Sequence, residues 1–513
     1  MIMTSPDVVL GVDIGTSSTK GVLVTLSGEV LHSVVRQHDV QRPSPGQVEM
    51  DGAVWWAEFR EISAELAEWA QGASAPIVAI GVSGMGPCLL LTDAKHVPLR
   101  PAILYGVDTR AGVQIAEINA RLGADAIFER CGSALSSQAL GPKLEWIKAQ
   151  EPAVWARARY LFMPASWLAM NLTGEYGLDH QSASQCTPLY DTHALAWHAP
   201  WADELRGPVT LPRLLWPGEK IGSVTAQAAH TTGLPEGIPV IMGTIDAWSE
   251  ALSVGAHKPG DLMLMYGTTM FLINTTSRRV THPALWGTVG AVPGTWNFAA
   301  GMATSGAITG WLRGLFGSPD FAQLLADAAA SPPGSRGLLM LPYFAGERTP
   351  ISDPSARGTI TGLTVEHTRG DLYRAALEAT AFGIRHNVEQ MRAAGAVISR
   401  IVAVGGGTQN GLWPQIVSDV TGLVQEIPHT TVGASLGAAF LAAGLVSTPN
   451  IDQWNPVEVT VTPNPDLAML YDEIFADYLA LYPATREIAH RRAALQARDS
   501  RHPLDDTVLP APK

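Results

Sequence analysis

Cysteine is nearly missing from this 513-residue chain: Cys88, Cys131 and Cys186 are the whole complement. Three widely spaced thiols make neither a disulfide framework nor a zinc cluster, so a reducing, cytoplasmic location is expected. His96, His180 and His386 are isolated, and none has metal-ligand spacing with another histidine. Charge is sparse as well. Charged residues make up 16% of the chain, and 34 Lys and Arg stand against 47 Asp and Glu, for a net charge of −13. No run of Lys or Arg forms a basic stripe, and Arg491, Arg492, Arg498 and Arg501 are diluted by acidic and apolar neighbours. That pattern excludes nucleic acid as the natural partner. No apolar run approaches the length of a membrane span. The opening MIMTSPDVVLGVD lacks the basic stretch, apolar core and cleavage site of a secretory signal.

Apolar residues are plentiful, at 46%. So long a chain exceeds what one core can organise, and two large α/β domains are expected. The boundary is placed near Pro239, giving segments 1–238, 239–485 and a last piece, 486–513, that finishes a helix and frays around His502-Pro503. Val8 to Val12, Gly21 to Leu26 and Val30 to Val35 read as three strands of a meander. Trp55, Phe59, Ile62, Leu66 and Trp69 share one helical face, and Val78 to Val82 reads as a buried strand. A second region opens with the strand Val240 to Gly243. It continues through a helix from about Trp248, strands at Asp261 to Tyr266 and Phe271 to Ile273, a helix over Asp371 to Ala394 and a buried strand, Ile401 to Val404. Both regions repeat one local plan of strand, Gly-Thr turn, strand. Fifteen tryptophans are read mainly as packing residues, Trp55, Trp146 and Trp167 among them.

Three turns carry chemistry. Asp13-Ile14-Gly15-Thr16-Ser17-Ser18-Thr19-Lys20 joins two strands, and its backbone N–H groups and hydroxyls can hold phosphate oxygens. Asp13 can hold magnesium directly or through water. The same residues also suit an ordinary hairpin, and the spacing G-x-x-x-x-G-K-[ST] of a P-loop is not present. Tyr266-Gly267-Thr268-Thr269 is a second hydroxyl-rich turn. Val404-Gly405-Gly406-Gly407-Thr408-Gln409-Asn410 allows close approach of a flat ring or a phosphate, or simply makes a tight strand-to-helix turn. Asp246, after a buried strand and a Gly243-Thr244 turn, is either a helix cap or a carboxylate presented to a cleft.

The order of these motifs resembles the FGGY carbohydrate kinases, of the actin and hexokinase superfamily, over roughly residues 8 to 485. Gly141-Pro142-Lys143-Leu144-Glu145-Trp146-Ile147 looks like the family's first signature. Gly358 to Leu363, continuing to Glu378, looks like the second. Gly346-Glu347-Arg348-Thr349-Pro350 and Asp353-Pro354 are typical of xylulokinase-like members. The resemblance implies two ribonuclease-H-like domains flanking a cleft, with ATP and magnesium on the second-domain side and a small sugar or polyol on the first. It places magnesium at Asp13, and the phosphates at Gly15, Thr16, Ser17, Lys20, Gly267, Thr268 and Thr269. Adenosine falls to Gly405, Gly406, Gly407 and Asn410, the sugar to Gly84, Met85, Gly86, Asp108, Arg110 and Asp246, and the general base to Asp246. The acceptor implied is a pentulose such as xylulose. Ribulose, another ketose or an erythritol-like polyol are the alternatives, and an actin-like ATPase without a sugar site is the rival from another class. Two stretches depart from the xylulokinase pattern. Gly84-Met85-Gly86-Pro87 stands where Gln-Met-His-Gly is usual, and Gly106-Val107-Asp108 replaces Trp-Asn-Asp. The family contains monomers and dimers, so a homodimer is compatible with it.

Overall fold

The computed structural model describes residues 6–430 and 432–499. The elements that build the site are β1 (Val8–Ile14), β2 (Ser18–Thr25), β3 (Val30–Gln37), helix α1 (Gly52–Gly72) and β4 (Ile77–Gly84). The short helix α2 (His180–Ser184), β5 (Lys220–Ser223), β6 (Pro239–Ile241), β7 (Thr244–Ile245) and helix α3 (Asp246–Ser253) follow. The second half supplies β8 (Asp261–Tyr266), β9 (Met270–Thr276), β10 (Trp286–Val289), β11 (Trp296–Met302) and α4 (Gly306–Leu315). It continues with α5 (Arg369–Ala393), β12 (Arg400–Val404), α6 (Leu412–Thr421), β13 (Gln425–Pro428), α7 (Ala434–Ala443), β14 (Val457–Val461) and α8 (Ala468–Asp499).

Two seven-stranded mixed sheets result. The first runs β5-β6-β4-β1-β2-β3 with β7 paired to β4, and the second runs β10-β11-β9-β8-β12-β13-β14. Each has an antiparallel pair next to a parallel strand at its centre: β1 with β2 and β4, and β8 with β9 and β12. The sequence-level echo between the two regions is therefore a repeat of topology. The division expected at residue 239 shifts. Pro239–Ile241 and Thr244–Ile245 pair in parallel with β4 in the first sheet, through Val240 to Ile80 and Thr244 to Ser83. A strand that apolar has to be covered on both faces, and the first sheet offers that cover. The second sheet starts only at Asp261.

Strand alternation explains the layers. Val8, Leu10, Val12 and Ile14 pack in one core with Trp55, Phe59, Ile62 and Leu66 of α1. Val9, Val22, Val24, Ala79 and Ile241 point the other way, onto Leu436, Ala439, Ala442 and Ala443 of α7. A helix from the second half of the chain thus closes the back of the first sheet. It sits very close: a methyl group at Gly11 would overlap Ser435 O, one at Gly81 would overlap Ala438 O, and one at Gly437 would overlap Ser249 O. The charged segment after Arg486 does not fray at once. It continues α8 to Asp499, where His490 Nε2 lies 2.6 Å from Asp353 Oδ2 and Ala489 and Ala493 are buried. His502-Pro503 lies outside the described residues.

Gly81→Ala and Gly437→Ala are each expected to destabilise the protein by at least about 1–3 kcal/mol, because the added methyl meets backbone that cannot rotate away. Gly72→Ala, where a methyl meets nothing within 4 Å, is the control and should leave the melting temperature in place. Equal melting temperatures for all three variants would show that α7 does not sit as closely as described.

Candidate active site

A cavity of about 520 Å³ opens between the two sheets. The turn from β1 to β2 forms one wall. There Gly15 N donates to Ser18 O, and His38 bridges Gly15 O and Glu58 from below. Asp13, Gly15, Ser18 and Lys20 line the cavity. Thr16 Oγ1 shares a 2.9 Å hydrogen bond with Tyr105 OH, and Ser17 is exposed on the rim of the turn. The second turn faces it from β8 and β9. Thr269 lines the cavity, while the carbonyls of Gly267 and Thr268 accept from the N-terminal backbone of α4. Gly405 to Gly407 and Asn410 lie outside the cavity, one strand further along. Gly405 has φ 96° and a methyl group there would overlap the Tyr266 carbonyl, so only glycine fits. Asn410 Oδ1 accepts from Trp413 N.

Three carboxylates gather at the first turn. Asp13 accepts from Ser83 Oγ at 2.7 Å, and burial, less the relief from Ser83 and Lys20, raises its pKa to about 6. Asp246 is the first residue of α3, with Ile245 at the cap position, so of its two expected uses the helix cap does not apply. Its Oδ1 accepts from Ala247 N at 2.7 Å. Its pKa is pushed up to about 7, first by burial at the cavity floor and then by the charge of Asp13. Glu250, one helical turn further, is also pushed to about 7 by burial and by Asp13. Lys20 pairs in register with Asp13 and donates from Nζ to Val432 O at 2.7 Å. Desolvation lowers its pKa, and Glu250 and Asp13 oppose that. At the mouth stands the exposed Arg348, whose guanidinium makes no hydrogen bond or ion pair among the described residues. Its loop is held by buried Glu347, which accepts from Ala303 N and Arg348 N.

The sugar residues inferred from sequence divide. Gly86 lines the cavity next to the Gly86–Pro87 cis bond, but Gly84 is closed in by Pro164 and Ile14, and Met85 is fully buried. Asp108 and Arg110 do not reach the cavity at all. Asp108 accepts from Val48 N, Arg110 Nη2, Arg110 Nε and Arg110 N, and Arg110 also donates to Glu49 and stacks over Trp146 at 4.8 Å. Two residues apart in a tight loop, they bind each other, so the Asp108 oxygens and three of the five guanidinium N–H groups of Arg110 are taken up inside the protein. The residues that do line the pocket include Tyr105, Gln138, Gln185, Thr187, Trp248, Phe271, Trp286 and Thr288. No motif marks them. Only Glu250, at i+4 from Asp246, could have been read from helical spacing.

Two sheets of repeated topology, with glycine- and hydroxyl-rich turns and a carboxylate at one cavity, make the cleft of a two-domain α/β protein of the actin and hexokinase type. Comparison with known proteins makes this specific. Residues 8–253 match the N-terminal domain of the FGGY family of carbohydrate kinases, and residues 262–445 match its C-terminal domain. A xylulose kinase of Staphylococcus epidermidis is 29% identical over 495 residues, covering 94% of this chain and 98% of that one. A glycerol kinase of Janthinobacterium is 30% identical, covering 86% and 90%. The crystal structure of xylulose kinase from Rhodospirillum rubrum superimposes with a TM-score of 0.89 at 33% identity, covering 94% of this chain and all of that one. The chain belongs to the FGGY family of carbohydrate kinases, and it is an ATP-dependent sugar kinase. No helix among the described residues is long and apolar enough to cross a membrane.

The crowded carboxylates have a cost in stability. A carboxyl whose folded pKa lies above its unfolded value stabilises the native state fully at low pH, and that contribution is lost as pH rises. For Asp246 the window runs from 3.8 to about 7. Without nucleotide and metal, Asp246→Asn is therefore expected to raise the melting temperature relative to wild type, and more at pH 8 than at pH 5. A difference that is flat with pH, or largest at pH 5, would contradict the placement of this carboxyl.

Proposed function

We propose that the enzyme phosphorylates a small neutral ketose or polyol, with a pentulose such as xylulose first among its acceptors, and that Asp246 is the general base. One observation carries this reading. Asp246 lines one cavity together with Asp13 and the Gly15–Ser18 turn and with hydroxyl, amide and aromatic side chains, and it feels the charge of Asp13. Relatives with nearly complete coverage are xylulose kinases, which supports the choice of acceptor.

The reaction forms a bond from an acceptor oxygen to the γ-phosphorus and breaks the bond from that phosphorus to ADP. The acceptor proton passes to Asp246. A carboxylate with pKa near 7 is ionised in about half the molecules at neutral pH and basic enough to take that proton as the new bond forms. The γ-phosphate would lie between the Gly15–Ser18 turn and Thr269, with Lys20 and Arg348 supplying positive charge. Adenosine would extend over Gly405–Gly407 toward Asn410. Asp13 fits a hard divalent cation. Three carboxylates stand near one lysine, and no cluster of three or more metal-ligating side chains among the described residues could hold an ion alone. That pattern suits magnesium, which takes one or two carboxylates and completes its shell with water and phosphate. Bound there, it would neutralise phosphate charge. Approach of the two sheets would exclude the water that competes as acceptor.

Asp246→Asn preserves the shape and the bond from Ala247 but cannot take a proton. Its kcat in a coupled ADP-release assay with xylulose and a panel of ketoses and polyols is expected to fall roughly 10²- to 10⁴-fold, with ADP affinity kept. A kcat within a few-fold of wild type would remove Asp246 from this role.

A further inference from the structure

The charged side chains lining the cavity are Asp13, Lys20, Asp246, Glu250 and Arg348, and they all belong to the transfer centre or the mouth. The rest of the lining carries no charge. Its segments are stitched into one wall across the seam between the sheets. Ser133 Oγ donates to Gly287 O at 2.9 Å, and Val289 N donates to Ser184 Oγ at 3.1 Å. Trp248, Phe271 and Trp286 form an aromatic row along it, with centroids 6.3 Å and 6.2 Å apart. Among the described lining residues three side-chain atoms are buried and have no partner: Gln185 Nε2, just after α2, Thr288 Oγ1, on β10, and Ser435 Oγ, on α7 behind the first sheet. Ser184 Oγ and Val289 N, next to Gln185 and Thr288 in sequence, are satisfied, so the unmet atoms in this wall are those of Gln185 and Thr288. An unmet buried donor or acceptor is costly, and a ligand hydroxyl or carbonyl placed there removes the cost.

We infer that Gln185 and Thr288 select the acceptor. They hydrogen-bond the distal hydroxyl or carbonyl oxygens of an uncharged polyol chain, whose C–H faces lie against the Trp248–Phe271–Trp286 row. Gln185 comes from the first-sheet half and Thr288 from the second sheet, so the acceptor touches both halves. Sugar acids and sugar phosphates are excluded, because no cation in this wall meets a carboxylate or phosphate and burying one unpaired is prohibitive. This inference rests on the sugar-kinase reading above and assigns its specificity.

The test is acceptor-dependent ADP release, with neutral ketoses and polyols set against aldonic acids and sugar phosphates of matched length. Wild type is expected to favour neutral acceptors by at least about 100-fold in kcat/KM. Gln185→Leu and Thr288→Val should each raise the acceptor KM about tenfold while leaving the ATP KM and kcat near wild type. Thr288→Ser, which keeps the hydroxyl, should restore the acceptor KM and so separates a lost hydrogen bond from a damaged fold. Comparable turnover of the acids, or an unchanged acceptor KM in Gln185→Leu and Thr288→Val, overturns the inference and leaves the kinase reading standing. No ADP release with any acceptor of either kind overturns both.

Discussion

The site depends on how closely α7 approaches the rest of the protein. Glycines at Gly11, Gly81 and Gly437 let this helix lie with its backbone against β1, β4 and α3, and Ser249 Oγ donates to Ala434 O at 2.7 Å to lock the pair of helices. Three consequences follow from that single contact. The second half of the chain becomes the back wall of the first sheet. Residues leading into α7, Val432 to Ser435, reach the cavity, where Val432 O receives Lys20. And α3 is clamped so that Asp246, at its first position, cannot drift from Asp13. A larger side chain at any of the three glycines would part the helix from the sheet and open the floor of the site.

On that frame the electrostatics are deliberately unfavourable. Burial, more than the charge of Asp13 on its neighbours, raises the pKa values of Asp13, Asp246 and Glu250. A site built only for stability would replace them with neutral groups. The proposed phosphoryl transfer would explain why they are kept, since a basic carboxylate and a place for a divalent cation serve in-line attack on a charged phosphate. Lys20 and Arg348 are the two cations that line the cavity. The acceptor pocket, by contrast, is neutral, so the cavity sorts its ligands by charge along its length.

Much of the fold was legible in the sequence, because all-apolar strands and a helical stripe of large residues dictate burial with little ambiguity. The β1 turn and the turn at Gly267 were readable as turns for the same reason, since small residues and hydroxyls stand there between buried strands, while their use for phosphate was one of two open readings. Asp246 was legible as a residue but ambiguous in role until its neighbours were known. Asp108 and Arg110 were open to two uses, because an Asp-x-Arg pair offers the same groups to a sugar or to itself, and only the backbone path shows that they close on each other. Pro239–Ile241 misled, since an apolar strand does not say which sheet it joins. Gln185, Thr288 and the aromatic row carried no signal, because they come from distant segments and meet only after both sheets have formed.

The central claim is that Asp246 takes the acceptor proton during phosphoryl transfer. Its most direct test is the single-turnover rate of transfer from ATP in the presence of saturating acceptor, followed across pH by rapid quench in wild type and in Asp246→Asn. The account predicts an acid limb in wild type, with the rate falling about tenfold per pH unit below an apparent pKa, and a slow, pH-independent rate over the same range in the variant. An acid limb of the same midpoint in Asp246→Asn would contradict it.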